Sequence, residues 1–182
     1  MNIGQPPGTV PAASLTKKHY LGIGEYYLTT EPERIITVVG SCLALTMYAP
    51  SIHMAGMLHA VLPHCNHHTS SRYGGVHQAN CVTFLFYMML EKFKDAGVPV
   101  SSIEMKAFGC ASSFHTGMPS VGARNIDVFD SIVAREKLNI AARDLGGSEG
   151  RKVLIDTANG DVYVRMLAKN DPELVTKGVV IE

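Results

Sequence analysis

This 182-residue chain has no excess charge of either sign, because sixteen Lys and Arg offset sixteen Asp and Glu. It therefore has no bulk field to draw in nucleic acid or an anionic membrane surface. Long apolar runs are missing too. Even residues 84–90 are followed at once by Glu91, Lys92 and Lys94, well short of the roughly 20 apolar residues a membrane helix needs. The first fifteen residues carry Pro6, Pro7 and Pro11 but no cationic start followed by an apolar core, so they do not read as a secretory signal. No C-x-x-C occurs, and the four cysteines, Cys42, Cys65, Cys81 and Cys110, lack the density of a secreted disulfide scaffold. The expectation is a reduced, cytoplasmic protein whose thiols are free. Nor do Gly22, Gly24, Gly74-Gly75 or Gly146-Gly147 form a phosphate-binding motif, which leaves nucleotide binding without support.

What remains is an ordinary globular composition, 46% hydrophobic and 18% charged, of a size that suits one domain. The chain reads as a flexible leader over 1–18, a single domain over 19–168 and an extension over 169–182. Residues 20–28 form an aromatic-rich strand with glycine breaks, and residues 35–39 a buried strand. Residues 42–48 alternate as a half-buried strand, turn at Pro50-Ser51 and return through residues 54–62. A long helix spans residues 76–96, with Val82, Leu85, Phe86, Met89 and Phe93 on one stripe. Residues 102–109 alternate again, residues 110–124 are a small-residue loop, and Asn125 caps a second helix that ends near Leu138. Residues 140–145 form a short strand, and Asn159-Gly160 is a strong hairpin signal between residues 152–158 and 161–167. Strands, two helices and further strands make an α+β domain with mixed, largely antiparallel sheets.

The chemistry concentrates where the strand at residues 35–39 meets Gly40, Ser41 and Cys42. A Gly-Ser turn presents the next side chain at the strand's edge, and that side chain is a thiol. His59 follows seventeen residues later, and a hairpin turning at Pro50-Ser51 pairs Leu43 with Leu58, Leu45 with Gly56 and Cys42 with His59. Directly opposed residues have Cβ atoms about 4.5 to 5.5 Å apart, close enough for a thiol and an imidazole to exchange a proton. Backbone N–H groups at Gly40, Ser41 and Cys42 would lower the thiol pKa and receive an oxyanion. Thr37, on the strand before the turn, is a candidate to hydrogen-bond the site or a substrate amide. A competing cluster, His64, Cys65, His67 and His68 with His53, offers imidazole and thiolate but lacks the spacing of a structural zinc site. It reads first as a solvated loop, and no cofactor or metal is expected.

These residues belong to an ordered set of blocks: Thr37-Val38-Val39-Gly40-Ser41-Cys42-Leu43-Ala44-Leu45, Gly56-Met57-Leu58-His59-Ala60-Val61-Leu62-Pro63, Arg72-Tyr73-Gly74, Lys106-Ala107-Phe108-Gly109, Gly122-Ala123-Arg124-Asn125, and Asp144-Leu145-Gly146-Gly147 with Arg151-Lys152-Val153. Over about residues 20–167 the sequence resembles the CheD family, the chemoreceptor glutamine deamidases. The resemblance implies a cytoplasmic α+β sandwich similar to the catalytic domain of the cytotoxic necrotizing factors. It also implies hydrolysis of glutamine side chains on methyl-accepting chemoreceptors to glutamate, with Cys42 as nucleophile, His59 as base and a threonine upstream, for which Thr37 is the candidate. CheC is the partner it implies in some organisms; the alternative is a non-catalytic adaptor that binds receptor or CheC through the same groove. Cys110 departs from the pattern, standing where a second glycine after Phe-Gly is usual.

Overall fold

The computed structural model describes residues 17–65, 80–112 and 119–168. Expectations that fall on residues 1–16, on His67 and His68, on Arg72-Tyr73-Gly74, on residues 113–118 and on 169–182 lie outside the described residues.

The chain runs β1 (Lys18–Tyr20), β2 (Tyr26–Thr29), β3 (Arg34–Val39), β4 (Leu43–Ala49), β5 (Met54–Ala60), α1 (Val82–Asp95), β6 (Glu104–Gly109), α2 (Val121–Glu136), β7 (Ile140–Leu145), β8 (Gly150–Asp156) and β9 (Val162–Leu167). Two sheets result, a four-stranded β1-β3-β8-β9 and a five-stranded β2-β5-β4-β6-β7. Only the β1–β3 and β6–β7 pairs are parallel. The segment expected as one strand over residues 20–28 is divided between the sheets: β1 joins the first and β2 the second. Gly24, at φ +76, lies in the connection between them and supplies a backbone angle that other residues resist.

The five-stranded sheet is the middle layer. Leu43, Leu45, Met47 and Ala49 of β4 face the helices, packing with Phe86, Met89, Phe93, Phe129 and Ile132. Ala44 and Tyr48 face the other way, against Ile35, Val39, Val153 and Ile155 of the four-stranded sheet. Every residue of β4 is therefore buried. Its alternation suggested a half-buried strand, but leucine and methionine on one side with small or aromatic residues on the other serve two different cores.

Helix α1 forms because Val82, Leu85, Phe86, Met89, Leu90 and Phe93 repeat at helical spacing and all bury on the middle sheet. Helix α2 begins five residues earlier than Asn125 as a cap suggested. Ser120 is the cap, its hydroxyl accepting a hydrogen bond from the Ala123 N–H at 3.1 Å. Asn125 instead lies inside the helix and is fully buried.

The β4–β5 hairpin carries a second correction. Its register pairs Leu43 with Ala60, Ala44 with His59 and Leu45 with Leu58, two residues beyond the expected alignment. The cause is the turn. Pro50–Ile52 form one tight helical turn and His53 takes a left-handed φ of 50°, so the loop holds four residues rather than two. A shift of two preserves which face each side chain occupies; a shift of one would have reversed it.

Cys65 and Cys81 are joined in a disulfide across 16 positions, so the expectation that all four thiols are free does not hold. Beside the bond, Leu62 and Cys81 form a parallel bridge, the Val61 N–H donates to Asn80 and the Val82 N–H to Leu62. The end of β5 is thereby tied to the start of α1. A ring of this length restricts the unfolded chain by about 3 kcal/mol. Reduction, or a Cys65→Ala/Cys81→Ala variant, should lower stability by that order in urea titrations; an unchanged midpoint would show that the bond does not form in solution.

Candidate active site

His59 reaches from the middle sheet toward the outer one, where Thr37 stands on β3. Thr37 Oγ1 lies 2.8 Å from His59 Nδ1 and donates its only hydrogen to the Leu21 carbonyl at 3.0 Å. Having donated there, the hydroxyl can only accept from the ring, so Nδ1 carries the proton and Nε2 the lone pair. Nε2 is buried and has no hydrogen-bond partner among the described residues. The His59 backbone is fixed as well, its N–H donating to the Glu25 carbonyl and its carbonyl accepting from the Gly24 N–H.

Cys42 precedes β4 by one residue and packs in the same inter-sheet layer, with Ala44, Ile35 and Val39. The corrected register makes Cys42 and His59 diagonal rather than directly opposed neighbours on one face. Diagonal Cβ atoms lie somewhat under about 7 to 8 Å apart, within reach of an imidazole. No hydrogen bond joins the pair in this structure, since Nε2 is unpartnered.

Three successive carbonyls of the turn each accept a hydrogen bond from the chain beyond β6 or from α2. Gly40 O accepts from the Ala111 N–H at 2.8 Å, and Cys42 O from the Cys110 N–H at 2.7 Å. Ser41 O accepts from Asn125 Nδ2 at 3.0 Å. All peptide bonds here are trans, so each N–H points opposite to the carbonyl of its own peptide unit. The N–H groups of Ser41 and Cys42 thus leave the turn on the side away from Ala111 and Asn125.

A buried thiol on a sharp turn and a tautomer-fixed imidazole on the same face form an arrangement that the sequences of characterised families can be compared with. Residues 62–166 match the family model described as CheD chemotactic sensory transduction. A protein of Geobacter sulfurreducens titled probable chemoreceptor glutamine deamidase CheD 2 is 32% identical over 156 residues, covering 85% of this chain and 92% of its own. One of Clostridium tetani, titled probable chemoreceptor glutamine deamidase CheD, is 30% identical over 166 residues, covering 87% and 96%. The chain belongs to the CheD family. The family-model match begins at residue 62, beyond Cys42 and His59, so the case for those two rests on the geometry above.

Within this CheD chain the turn is braced by features the sequence did not advertise. Cys110 adopts φ +56, directly after Gly109 at φ +101. A left-handed backbone is the physical reason a glycine would suit position 110, and a cysteine there carries a steric cost. Its side chain packs on the helix side of the sheet, the opposite side from Cys42. Asn125 donates from Nδ2 to both Ser41 O and Val61 O, each at 3.0 Å. Two accepting carbonyls fix the orientation of the amide and leave Oδ1 buried without a partner among the described residues. Such an orphan acceptor costs roughly 1–3 kcal/mol, yet an apolar replacement would orphan two backbone carbonyls instead.

The competing histidine and cysteine cluster loses a member, since the Cys65 thiol is committed to the disulfide. Among the described residues no group of three or more His, Cys, Asp or Glu gathers to hold a cation, and no helix is long and apolar enough to cross a membrane.

Burial also corrects the expected thiol activation. It pushes the Cys42 pKa up to about 12 and that of His59 down to about 4. In the resting site thiol and imidazole are both neutral, because a dry layer between two sheets penalises either charge. For His59, the contribution of burying a neutral ring is full above 6.5, its ordinary value, and is lost as pH falls toward about 4. That range corresponds to about 3 kcal/mol. Cys42 and Cys110, both at about 12 against an ordinary 9.0, act oppositely: their contribution is full below pH 9 and declines as pH rises toward 12. Urea midpoints measured from pH 4 to 11 should fall at both ends, and His59→Gln should remove part of the acid limb. An acid limb identical in both proteins would contradict the buried neutral ring.

Proposed function

We propose that this CheD chain hydrolyses glutamine side chains on chemoreceptors to glutamate, with Cys42 as nucleophile and His59 as general base. The observation that carries this reading is the Thr37–His59 hydrogen bond, which leaves the Nε2 lone pair bare on the face that Cys42 shares. The names of the relatives, probable chemoreceptor glutamine deamidases, support chemoreceptor glutamine as the substrate.

In the proposed cycle His59 Nε2 takes the Cys42 proton as the sulfur attacks the carboxamide carbon. The two neutral groups, near 12 and 4, do not form a resting ion pair, so proton transfer accompanies attack rather than preceding it. The carbonyl oxygen, now anionic, is received by the Ser41 and Cys42 N–H groups. Nε2–H returns the proton to the leaving nitrogen, the carbon–nitrogen bond breaks, and ammonia departs from a thioester. Water then gives a proton to Nε2 and attacks the thioester; sulfur leaves and regains the proton, and glutamate is released. Thr37 keeps the ring in the Nδ1–H tautomer throughout, its hydroxyl accepting from the imidazolium more strongly than from the neutral ring. The receptor gains a negative charge on a packed helix, where charge alters pairing between neighbours.

Mass spectrometry of a receptor cytoplasmic fragment should show deamidation at glutamine with wild-type protein and none with Cys42→Ala. Ammonia release by Cys42→Ala would overturn the mechanism, and a Cys42→Ala protein that kept the full signalling role would make the chain an adaptor for receptor or CheC. His59→Asn should lower kcat by about 10²- to 10⁴-fold, the usual contribution of a positioned base. Thr37→Val should lower kcat by less, because the imidazole remains, and a Thr37→Ser protein should recover most of the loss.

A further inference from the structure

Helix α2 approaches the Cys42 turn more closely than helix packing requires. Gly122, in its first turn, has no room for a side chain: a Cβ there would lie 2.5 Å from both the Cys110 and Ala111 carbonyl oxygens. The backbone of residues 110–111 pressed against Gly122 is the same backbone whose N–H groups hold Gly40 O and Cys42 O. One helical turn later Asn125, fully buried, reaches past that backbone to Ser41 O. Its second Nδ2 hydrogen goes to Val61 O, two residues beyond His59.

One amide therefore spans the peptide between Ser41 and Cys42 and the exit of the strand that bears His59. We propose that Asn125 is the positioning residue of the catalytic pair, holding the nucleophile turn and the base strand at a fixed separation, with Gly122 permitting the approach. The inference rests on the deamidase reading for its kinetic consequences but not for its geometry.

Three observations favour positioning over simple helix anchoring. Asn125 sits at a site where α2 could have buried an apolar side chain, as it does at Phe129 and Ile132. Among the described residues, both of its side-chain hydrogen bonds go to backbone carbonyls of the two catalytic segments. Its Oδ1 is buried and unpartnered among the described residues, a cost that simple helix anchoring by an apolar side chain would avoid. By trans geometry the hydrogen bond to Ser41 O also orients the Cys42 N–H away from Asn125, where the proposed oxyanion would be received.

The test compares Asn125→Ala and Asn125→Asp with Ile132→Ala, which removes core volume from the same helix and no side-chain hydrogen bond to either segment. Two readouts are taken well below each protein's melting temperature: deamidation of a receptor cytoplasmic fragment, and the rate of Cys42 alkylation by iodoacetamide followed by peptide mass spectrometry. Both Asn125 variants should lose at least about a hundredfold in kcat with KM within about threefold, as expected when geometry of the reacting groups is lost and binding is kept. Ile132→Ala should melt lower and keep its kcat. Alkylation of Cys42 in the Asn125 variants should fall to the rate of His59→Ala, because the sulfur is no longer held within reach of Nε2. If Asn125→Ala and Ile132→Ala lose activity in proportion to stability, or if alkylation in Asn125→Ala equals the wild-type rate, Asn125 is an anchor only and the proposal fails. Should the wild type release no ammonia, the deamidase reading falls and the alkylation comparison still decides the role of Asn125.

Discussion

The hydrogen bond from His59 to Thr37 crosses from one sheet to the other, and the site exists only where the two sheets are held at that spacing. Stacked sheets pack about 10 Å apart, a gap filled by one side chain from each face. Most of the gap is closed by Ile35, Val39, Val153 and Ile155 meeting Ala44, Ala55 and Met57. At one position the small alanine of β4 lies beside a histidine, and the apposed β3 side chain is a threonine rather than a valine. A polar pair replaces an apolar one at little loss of volume. The same dry surroundings that secure the bond penalise charge on the thiol and the ring, so both rest neutral.

The second constraint is the bracing of the turn. Three carbonyls in a row are tied by the chain beyond β6 and by α2, which points the Ser41 N–H away from Ala111 and the Cys42 N–H away from Asn125. Further out, buried Arg151 donates to Asp144, Glu149 O and Gly146 O, and the turn it organises accepts from the Ser112 N–H through Gly147 O. Arg151 thereby supports the segment that supports the elbow. The blocks Gly122-Ala123-Arg124-Asn125 and Asp144-Leu145-Gly146-Gly147, quoted as marks of family resemblance, contribute residues to this scaffold.

Much of the architecture was legible because the periods are clean. The stripe from Val82 to Phe93, the alternation in residues 102–109 and the Asn159-Gly160 hairpin all read directly, since each encodes a local geometry in a local pattern. The errors have physical causes as well. Residues 20–28 carry no signal that their halves belong to different sheets, because sheet membership is a property of distant partners. Pro50 marked the turn but not its length, which the left-handed His53 decided. Asn125 has the chemistry of a cap, and only the position of Ser120 and the depth of burial show that it is something else. The Cys65–Cys81 bond depends on the spatial meeting of β5's exit with α1's start, which spacing alone does not disclose.

By itself the sequence determined that a thiol follows a strand at a Gly-Ser turn and that a histidine lies on the return strand with the right parity to share its face. Those are consequences of local propensity and of a period of two, which survive a register error of two. Tertiary structure decided the rest: that Thr37 fixes the tautomer of His59, that burial moves both titrating groups away from the charged state, and that Asn125 binds the two segments together. Each of these depends on groups brought from different sheets or from a helix more than sixty residues away, through desolvation and directional hydrogen bonds that no local pattern encodes.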